Sequence, residues 1–174
     1  MSRLDKLVEI VETYQTLATE NYDRIRGLAE QIRGGLCDYI GMGEMTCVYL
    51  VPPTGPFEPK AHGDKAFSMP PRGFRPLAPV SFGLAVRLTR GNDWLRVSME
   101  CRKVGEVFKV QIEDGAEYEF SLPLSFETQL PFYDHIYSHI LNWFSDQIER
   151  YKEGEYASRV IGFDFADDTN LQEV

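Results

Sequence analysis

Apolar and polar residues alternate through four short runs between residues 80 and 122, and turns separate the runs. An alternation with period two places apolar side chains on one face of a strand and polar side chains on the other. Asp114-Gly115 joins two of the runs, and this dipeptide suits a tight hairpin turn with positive φ angles. The pattern predicts an antiparallel sheet with one apolar face and one charged face.

A long helix is predicted from the N-terminus, because apolar residues recur at spacings of three and four from Leu4 to Ile32. Ser2 and Asp5 form a candidate capping box, and Gly34-Gly35 is the expected end. The same spacing fits a heptad in which Asn21 occupies a core position. We expect this helix to pack on its own sheet, and the alternative is a homodimer through the N-terminal helix.

The glycine pair precedes two further predicted strands, at Leu36 to Ile40 and at Glu44 to Val51. Residues 52–79 hold eight of the ten prolines, which excludes regular helix and strand and predicts an insertion between strands. Phenylalanine and methionine side chains within it favour packing over the sheet rather than a mobile linker.

The second predicted helix runs from Pro131 to about Glu153, before Gly154. An apolar stripe at four-residue spacing is expected to pack on the sheet, and it comprises Phe132, Ile136, Ile140, Phe144 and Ile148. A last strand is predicted at Val160 to Phe165, and residues 166–174 form an acidic tail that we expect to fray. The chain is therefore predicted to be a single α+β domain (1–174). Its antiparallel or mixed sheet of five or six strands carries the long N-terminal helix and the C-terminal helix on one face.

The net charge of −9 is concentrated near the C-terminus. Residues 124–174 hold ten acidic and three basic side chains, a local charge of −7, whereas residues 60–75 are basic. An acidic chain does not suit general nucleic-acid binding, which needs a basic face. The distribution favours a protein partner with a basic surface, and the candidate contacts are Glu149, Glu153 and Glu155.

The sequence shows no basic leader with an apolar run and no stretch of about 18 apolar residues, so a cytoplasmic location without membrane insertion is predicted. Cys37, Cys47 and Cys101 are odd in number and far apart. They indicate neither a disulfide framework nor a thiolate metal site, and we expect small buried or bystander side chains.

His135 and His139 lie four residues apart on the second predicted helix, a spacing at which two imidazoles can share a metal ion. His62 is the remaining histidine of the chain and a candidate third ligand. The zinc-protease motif is absent because Ile136 stands where its glutamate would be. The alternative is that both histidines are boundary residues with satisfied ring nitrogens.

Phosphate loops and the nucleophile elbow are absent from the sequence, no catalytic residue is identified, and no cofactor is indicated. The first hypothesis is a non-catalytic protein-interaction domain of an immunity-type, chaperone-like or adaptor kind. The alternative is a ligand-binding or enzymatic domain with a pocket between the sheet and residues 52–79. In that pocket an anionic ligand would meet His62, Arg72 and Arg75, and a metal at His135 and His139 is a further form of this alternative.

Overall fold

The computed structural model describes residues 1–41, 43, 45–70, 73–156 and 160–166. The predicted α+β class is confirmed, with a long N-terminal helix, a C-terminal helix and an antiparallel sheet. Short 3-10 turns lie at Gly63–Ala66 and Glu127–Gln129. The helices are α1 (Arg3–Ile40) and α2 (Leu130–Lys152), and the strands are β1 (Val48–Val51), β2 (Val80–Arg87), β3 (Trp94–Val104), β4 (Val107–Ile112), β5 (Glu117–Phe120) and β6 (Asp164–Phe165).

The sheet is a meander in the order β1-β2-β3-β4-β5, and every neighbouring pair is antiparallel. β6 pairs with the start of β3, where Phe165 lies opposite Leu95. The registers align apolar side chains across the sheet, as where Leu84 lies between Leu50 and Val97. This alignment forms one continuous apolar face.

Both helices cover that apolar face, but each does so with only part of its length. α1 buries residues between Ala18 and Leu36, and α2 buries Phe132, Tyr133 and Ile136. None of the described helices contains an apolar stretch long enough to cross a membrane.

α1 passes through the predicted stop at Gly34-Gly35 and ends at Gly41, where φ is 75°. The predicted strand at Leu36 to Ile40 is therefore wrong. A Cβ atom on Gly35 would overlap the hydroxyl and ring of Tyr133, so this glycine permits close approach of α2. The Ser2–Asp5 capping box at the other end is confirmed.

Two other predicted strands are shorter than expected. The strand placed at residues 44–51 begins at Val48, with Glu44 outside the described residues, and the last strand spans only Asp164–Phe165. Most of the predicted acidic tail, residues 167–174, also lies outside the described part of the chain.

A disulfide joins Cys37 in the last turn of α1 to Cys47 just before β1, so the expectation of unpaired cysteines is wrong for this pair. The two Cα atoms lie 5.5 Å apart. The expectation depended on the odd number and the wide separation of the cysteines. The structure instead continues α1 to Ile40 and places Cys37, in the last turn of the helix, beside Cys47. Cys101 is a free, buried thiol, as predicted.

The first part of the proline-rich segment, residues 52–69, runs from one face of the sheet to the other. Phe57 packs on the second face with Val51, Ala85 and Trp94. Ala66, Phe67 and Met69 join the main core beneath α1. The aromatic anchors predicted for this segment are buried at Phe57 and Phe67, whereas Phe74 is exposed.

Candidate interaction surfaces

The apolar stripe predicted on α2 does not stay on the sheet. A step of four residues turns an α-helix by about 400°, so each step moves the stripe about 40° around the axis. Over the four steps from Phe132 to Ile148 the stripe turns by about 160°. Phe132 is accordingly buried and Ile148 is 54% exposed, and the prediction that the whole stripe packs on the sheet is wrong.

The distal part of α2 instead carries a second apolar row, which faces solvent. Its members are spaced alternately by four and three residues, the repeat of a coiled-coil seam. All are between 36% and 68% exposed. We call this row the α2 seam, and it comprises Tyr137, Leu141, Phe144, Ile148 and Tyr151.

Acidic groups lie beside and beyond the end of the α2 seam. Glu149 pairs with Lys152 at 3.5 Å, and Asp146 pairs with Arg150 at 3.1 Å, so part of the acidic charge is balanced within the helix. Glu153 caps the last turn and Glu155 follows it. The three predicted partner contacts Glu149, Glu153 and Glu155 therefore cluster at the exposed C-terminal end of α2.

A second exposed apolar surface covers the first turns of α1. Leu4, Leu7 and the half-buried Val11 precede the buried positions of the same heptad, and the exposed Val8 and Ile10 widen the row. Leu4 is 67% and Leu7 is 60% exposed. These five residues form the α1 seam.

The α1 seam stops where the proline-rich segment begins to cover the helix. The Tyr14 ring stacks on Phe74, and its hydroxyl accepts a hydrogen bond from the Leu77 backbone. Asn21, the polar residue in the heptad, donates to the Ala78 carbonyl. Asn21 is thus used within the chain, and the exposed seam is limited to the turns before Tyr14.

His135 and His139 lie together at a cluster that also contains Asp114. Nε2 of His135 donates to the Asp114 carboxylate at 2.6 Å, and Nδ1 of His139 lies 3.9 Å from the same carboxylate. Nε2 of His139 is 2.5 Å from the Ile161 carbonyl, and because a carbonyl only accepts, this nitrogen carries a proton. The cluster joins α2, the β4–β5 turn and the segment before β6.

Burial at this cluster would raise the pKa of Asp114, but hydrogen bonds from the Ala116 backbone and from His135 outweigh it, and the net effect lowers the pKa. Within the described residues, no group of three or more His, Cys, Asp or Glu side chains is arranged to hold a metal ion. The hydrogen bonds of the two imidazoles there reach Asp114 and Ile161 rather than a hydroxyl or thiol nucleophile.

Of the predicted ligand-binding residues that the structure describes, His62 and Arg75 do not line the same cleft. His62 lines a cleft of about 550 Å³ within the proline-rich segment, together with Phe57, Lys60 and Lys65. The Arg75 guanidinium instead lies over the Tyr22 ring, 4.2 Å from its centroid. Arg72 lies outside the described residues.

The period-two alternation of β3 places Arg96 on the charged face of the sheet, but the structure buries this side chain beneath residues 52–57. Its guanidinium donates to the carbonyls of Pro52 and Gly55 and to the Asp164 carboxylate. The ring of Phe57 covers it at 4.8 Å. Other charges of this face pair across strands, as where Arg102 and Lys109 approach Glu117.

Comparisons of the chain with protein-family models, curated proteins and solved structures found no match. The fold and its surfaces therefore carry the functional argument.

Sequence reasoning missed the α2 seam and Asp114. The alternating spacing from Tyr137 to Tyr151 was visible in the sequence, but a competing four-residue stripe on the same helix was assigned to the core. Asp114 could not be identified from the sequence, because Asp114-Gly115 already fits a hairpin turn and nothing indicates a further role for the carboxylate.

Proposed function

We propose that this chain is a non-catalytic protein-interaction domain whose main docking surface is the α2 seam. The observation that carries the proposal is the exposed row of five large apolar side chains at coiled-coil spacing. Exposed apolar surface of this extent is uncommon on soluble monomers and typical of interaction sites. The spacing suits a partner that presents an amphipathic helix.

The charge near the seam supports a basic partner. Glu149, Glu153 and Glu155 stand at the C-terminal end of α2. Arg150 and Lys152 lie in the same turn, so residues 149–155 carry a net charge of −1, to which the helix dipole adds negative potential. A helix with lysine or arginine beside its apolar row would gain from both the apolar contact and the opposite charge. A second copy of the chain, bound through its N-terminal helix, is also a proposed partner.

A direct test uses a fluorescent synthetic peptide with leucine at heptad core positions and lysine elsewhere. We expect the peptide to bind the full chain, and we expect Glu149→Lys/Glu153→Lys/Glu155→Lys to weaken binding about tenfold. Glu100→Lys/Glu106→Lys/Glu127→Lys makes the same charge change on other exposed residues and should bind nearly as well as the wild type. Equal binding by both triple variants, or equal binding of a leucine–glutamate peptide, would contradict the proposal.

A second candidate function is supported by the cleft around His62. Lys60, Lys65 and Glu58 line this cleft, and Lys60 pairs with Glu58 at 2.9 Å. The net charge of +1 that these side chains leave in the lining suits an anionic small molecule. ATP serves as the probe, and Lys60→Ala/Lys65→Ala should abolish its binding in calorimetry. These substitutions are preferable to deleting residues 56–75, which would remove Phe67 and Met69 from the core.

A cytoplasmic location stays a prediction from the sequence. Disulfides persist in oxidising compartments and are rare in the cytosol, so the Cys37–Cys47 bond argues for an oxidising environment. Counting the free thiols of protein isolated from its native source would distinguish a cytoplasmic location from an oxidising compartment.

A further inference from the structure

The last turn of α1, residues 37–41, extends beyond the part of the helix that the core buries. Leu36 is fully buried, whereas every residue of this turn is half-buried or exposed. The disulfide of Cys37 ties the turn to Cys47, just before β1. Helix ends open at a lower free energy than buried segments do. The bond is therefore a covalent tie at a part of the fold that opens readily without it.

The two cysteines are held differently by the rest of the chain. Cys47 is fully buried, its carbonyl accepts a hydrogen bond of 2.9 Å from the Arg87 backbone, and the buried Val48 follows it. Cys37 keeps contact with solvent and belongs to the last helical turn. Loss of the bond therefore leaves Cys47 in the sheet and releases Cys37 with its turn.

The same turn also contacts α2 through Tyr39. The Tyr39 hydroxyl donates a hydrogen bond of 2.9 Å to the Asp134 carboxylate. The Tyr39 ring lies 6.0 Å from the Tyr133 ring and 5.9 Å from the Tyr137 ring, measured between centroids. Tyr137 is the first residue of the α2 seam. The turn thus connects the disulfide to α2.

We infer that the Cys37–Cys47 disulfide is a redox-sensitive switch for the last turn of α1. In the oxidised chain the turn is held and Tyr39 stays against α2. In the reduced chain the turn opens reversibly and Tyr39 leaves Tyr137, while the core stays folded. The switch does not depend on docking at the α2 seam, because its two states differ within the chain itself.

Reduction is a thiol–disulfide exchange with a dithiol. One thiolate of the dithiol attacks the sulfur of Cys37, a mixed disulfide forms there, and Cys47 leaves as a thiolate. The second thiolate of the dithiol then attacks its own sulfur in the mixed disulfide, and Cys37 leaves. Two electrons pass from the dithiol, which becomes a cyclic disulfide, and its two protons end on the two cysteines. The Cys47 backbone N–H donates to Sγ of Cys37 at 3.4 Å, a contact that favours the departing Cys37 thiolate.

The core keeps the two cysteines close to each other after reduction. Leu36 precedes Cys37 and Val48 follows Cys47, and both neighbours are fully buried in the main core. The thiols therefore stay near each other, and an oxidant restores the bond. A disulfide between residues ten apart in sequence changes an opening equilibrium by up to about 100-fold.

The test is hydrogen exchange of the full chain, read by mass spectrometry, in oxidised protein, after dithiothreitol and after reoxidation with oxidised glutathione. We expect the amides of residues 39–41 to exchange about 10- to 100-fold faster in the reduced protein and to regain protection after reoxidation. Both forms should keep a cooperative thermal transition. In the folded reduced protein, N-ethylmaleimide should modify Cys37 at least about tenfold faster than the fully buried Cys47.

Val110→Ala is the matched control for a general loss of stability. Val110 is fully buried in β4, so this variant leaves a cavity in the core while the disulfide remains. It should melt at a lower temperature, and its residues 39–41 should exchange nearly as slowly as in the oxidised wild type. Cys37→Ala/Cys47→Ala should show fast exchange with and without dithiothreitol. If that variant does not fold, the reduced wild type decides the test.

Four results would overturn the inference. Exchange of residues 39–41 that reduction leaves unchanged would mean that other contacts hold the turn. Equal acceleration in Val110→Ala would mean that the effect is general rather than local. Loss of the cooperative transition on reduction would make the disulfide a requirement of the whole fold. Reoxidation that pairs Cys101 with either cysteine would show that the two thiols do not stay together.

Discussion

The Asp114 carboxylate accepts a hydrogen bond of 2.6 Å from Nε2 of His135. This bond connects the β4–β5 turn to α2 at the position where α2 leaves the sheet. The side chains of Asp114 and His135 are 15% and 28% exposed, so the bond is partly shielded from water. The contact therefore helps to hold α2, the helix that carries the α2 seam, against the sheet.

Asp114→Asn should destabilise the chain at pH 7 by about 1–3 kcal/mol, because an ionised acceptor is lost from two hydrogen bonds. The folded state lowers the pKa of Asp114 below its ordinary value of 3.8. The contribution of the ionised carboxylate to the free energy of unfolding is therefore complete above pH 3.8. It disappears as the pH falls through the lower pKa of the folded state. Urea unfolding at pH 7 and at pH 3 should show a difference from wild type that shrinks at acid pH. Asp23→Asn, at an exposed position of α1, is the control and should show little change at either pH.

Glu113→Gln should stabilise the chain in alkaline buffer. Burial raises the pKa of Glu113 to about 7, although the residue as a whole keeps contact with solvent. The folded state binds this proton more tightly than the unfolded state, whose ordinary value is 4.5, so stability is lost as the pH rises from about 4.5 to above 7.

Glutamine keeps the carbonyl oxygen that accepts from the Ser98 backbone and removes the charge. We expect the melting temperature to rise by about 2–4 °C at pH 8 and to stay unchanged at pH 4, a modest shift because solvent screens part of the charge. Glu106→Gln, at an exposed turn, should change neither value. A stabilisation of Glu113→Gln that is the same at both pH values would show that charge is not its cause.

Two adjacent glycines of α1 should respond oppositely to alanine. Gly34 has open space where a Cβ atom would lie, so Gly34→Ala should stabilise the helix by up to about 1 kcal/mol. Gly35→Ala would press against Tyr133 and should destabilise the chain by about 1–3 kcal/mol. Chemical denaturation measures both. Tyr133→Phe removes the closest atom and should relieve part of the Gly35→Ala defect, and stabilisation by Gly35→Ala would refute the close approach.

Alkylation should detect one thiol after denaturation without reductant, at Cys101, and three after reduction. Cys37→Ser/Cys47→Ser should lower stability by about 2–3 kcal/mol, the loop-entropy value for residues ten apart in sequence. The wild type with added reductant is the matched comparison and should lose a similar amount. Three reactive thiols in protein isolated without reductant would favour the predicted cytoplasmic location.

The sheet was predictable from the sequence because period-two alternation depends only on the local geometry of a strand. The registers of β2 to β5 follow from that alternation and from short turns. The end of α1 was not predictable in this way, since Gly35 is explained by Tyr133, which lies far away in sequence.

The candidate sites follow the same division. The pairing of His135 and His139 on one helix face followed from their spacing, whereas their joint approach to Asp114 depends on tertiary packing. The burial of Arg96 was likewise set by a loop that folds back over the sheet.

Positions four residues apart on α2 are rotated by about 40° around the helix axis, so the length of the helix decides which way its exposed end faces. Phe132 and Ile136 fix the start of α2 on the sheet. The direction in which the Ile148 side chain points is set by the number of residues between Ile136 and Ile148. One residue inserted after Phe144 would turn Ile148 and Tyr151 by about 100° around the helix axis and leave the core contacts of Phe132, Ile136 and Trp143 in place. Chains that share this core can therefore evolve new partner orientations through single-residue length changes in one helix.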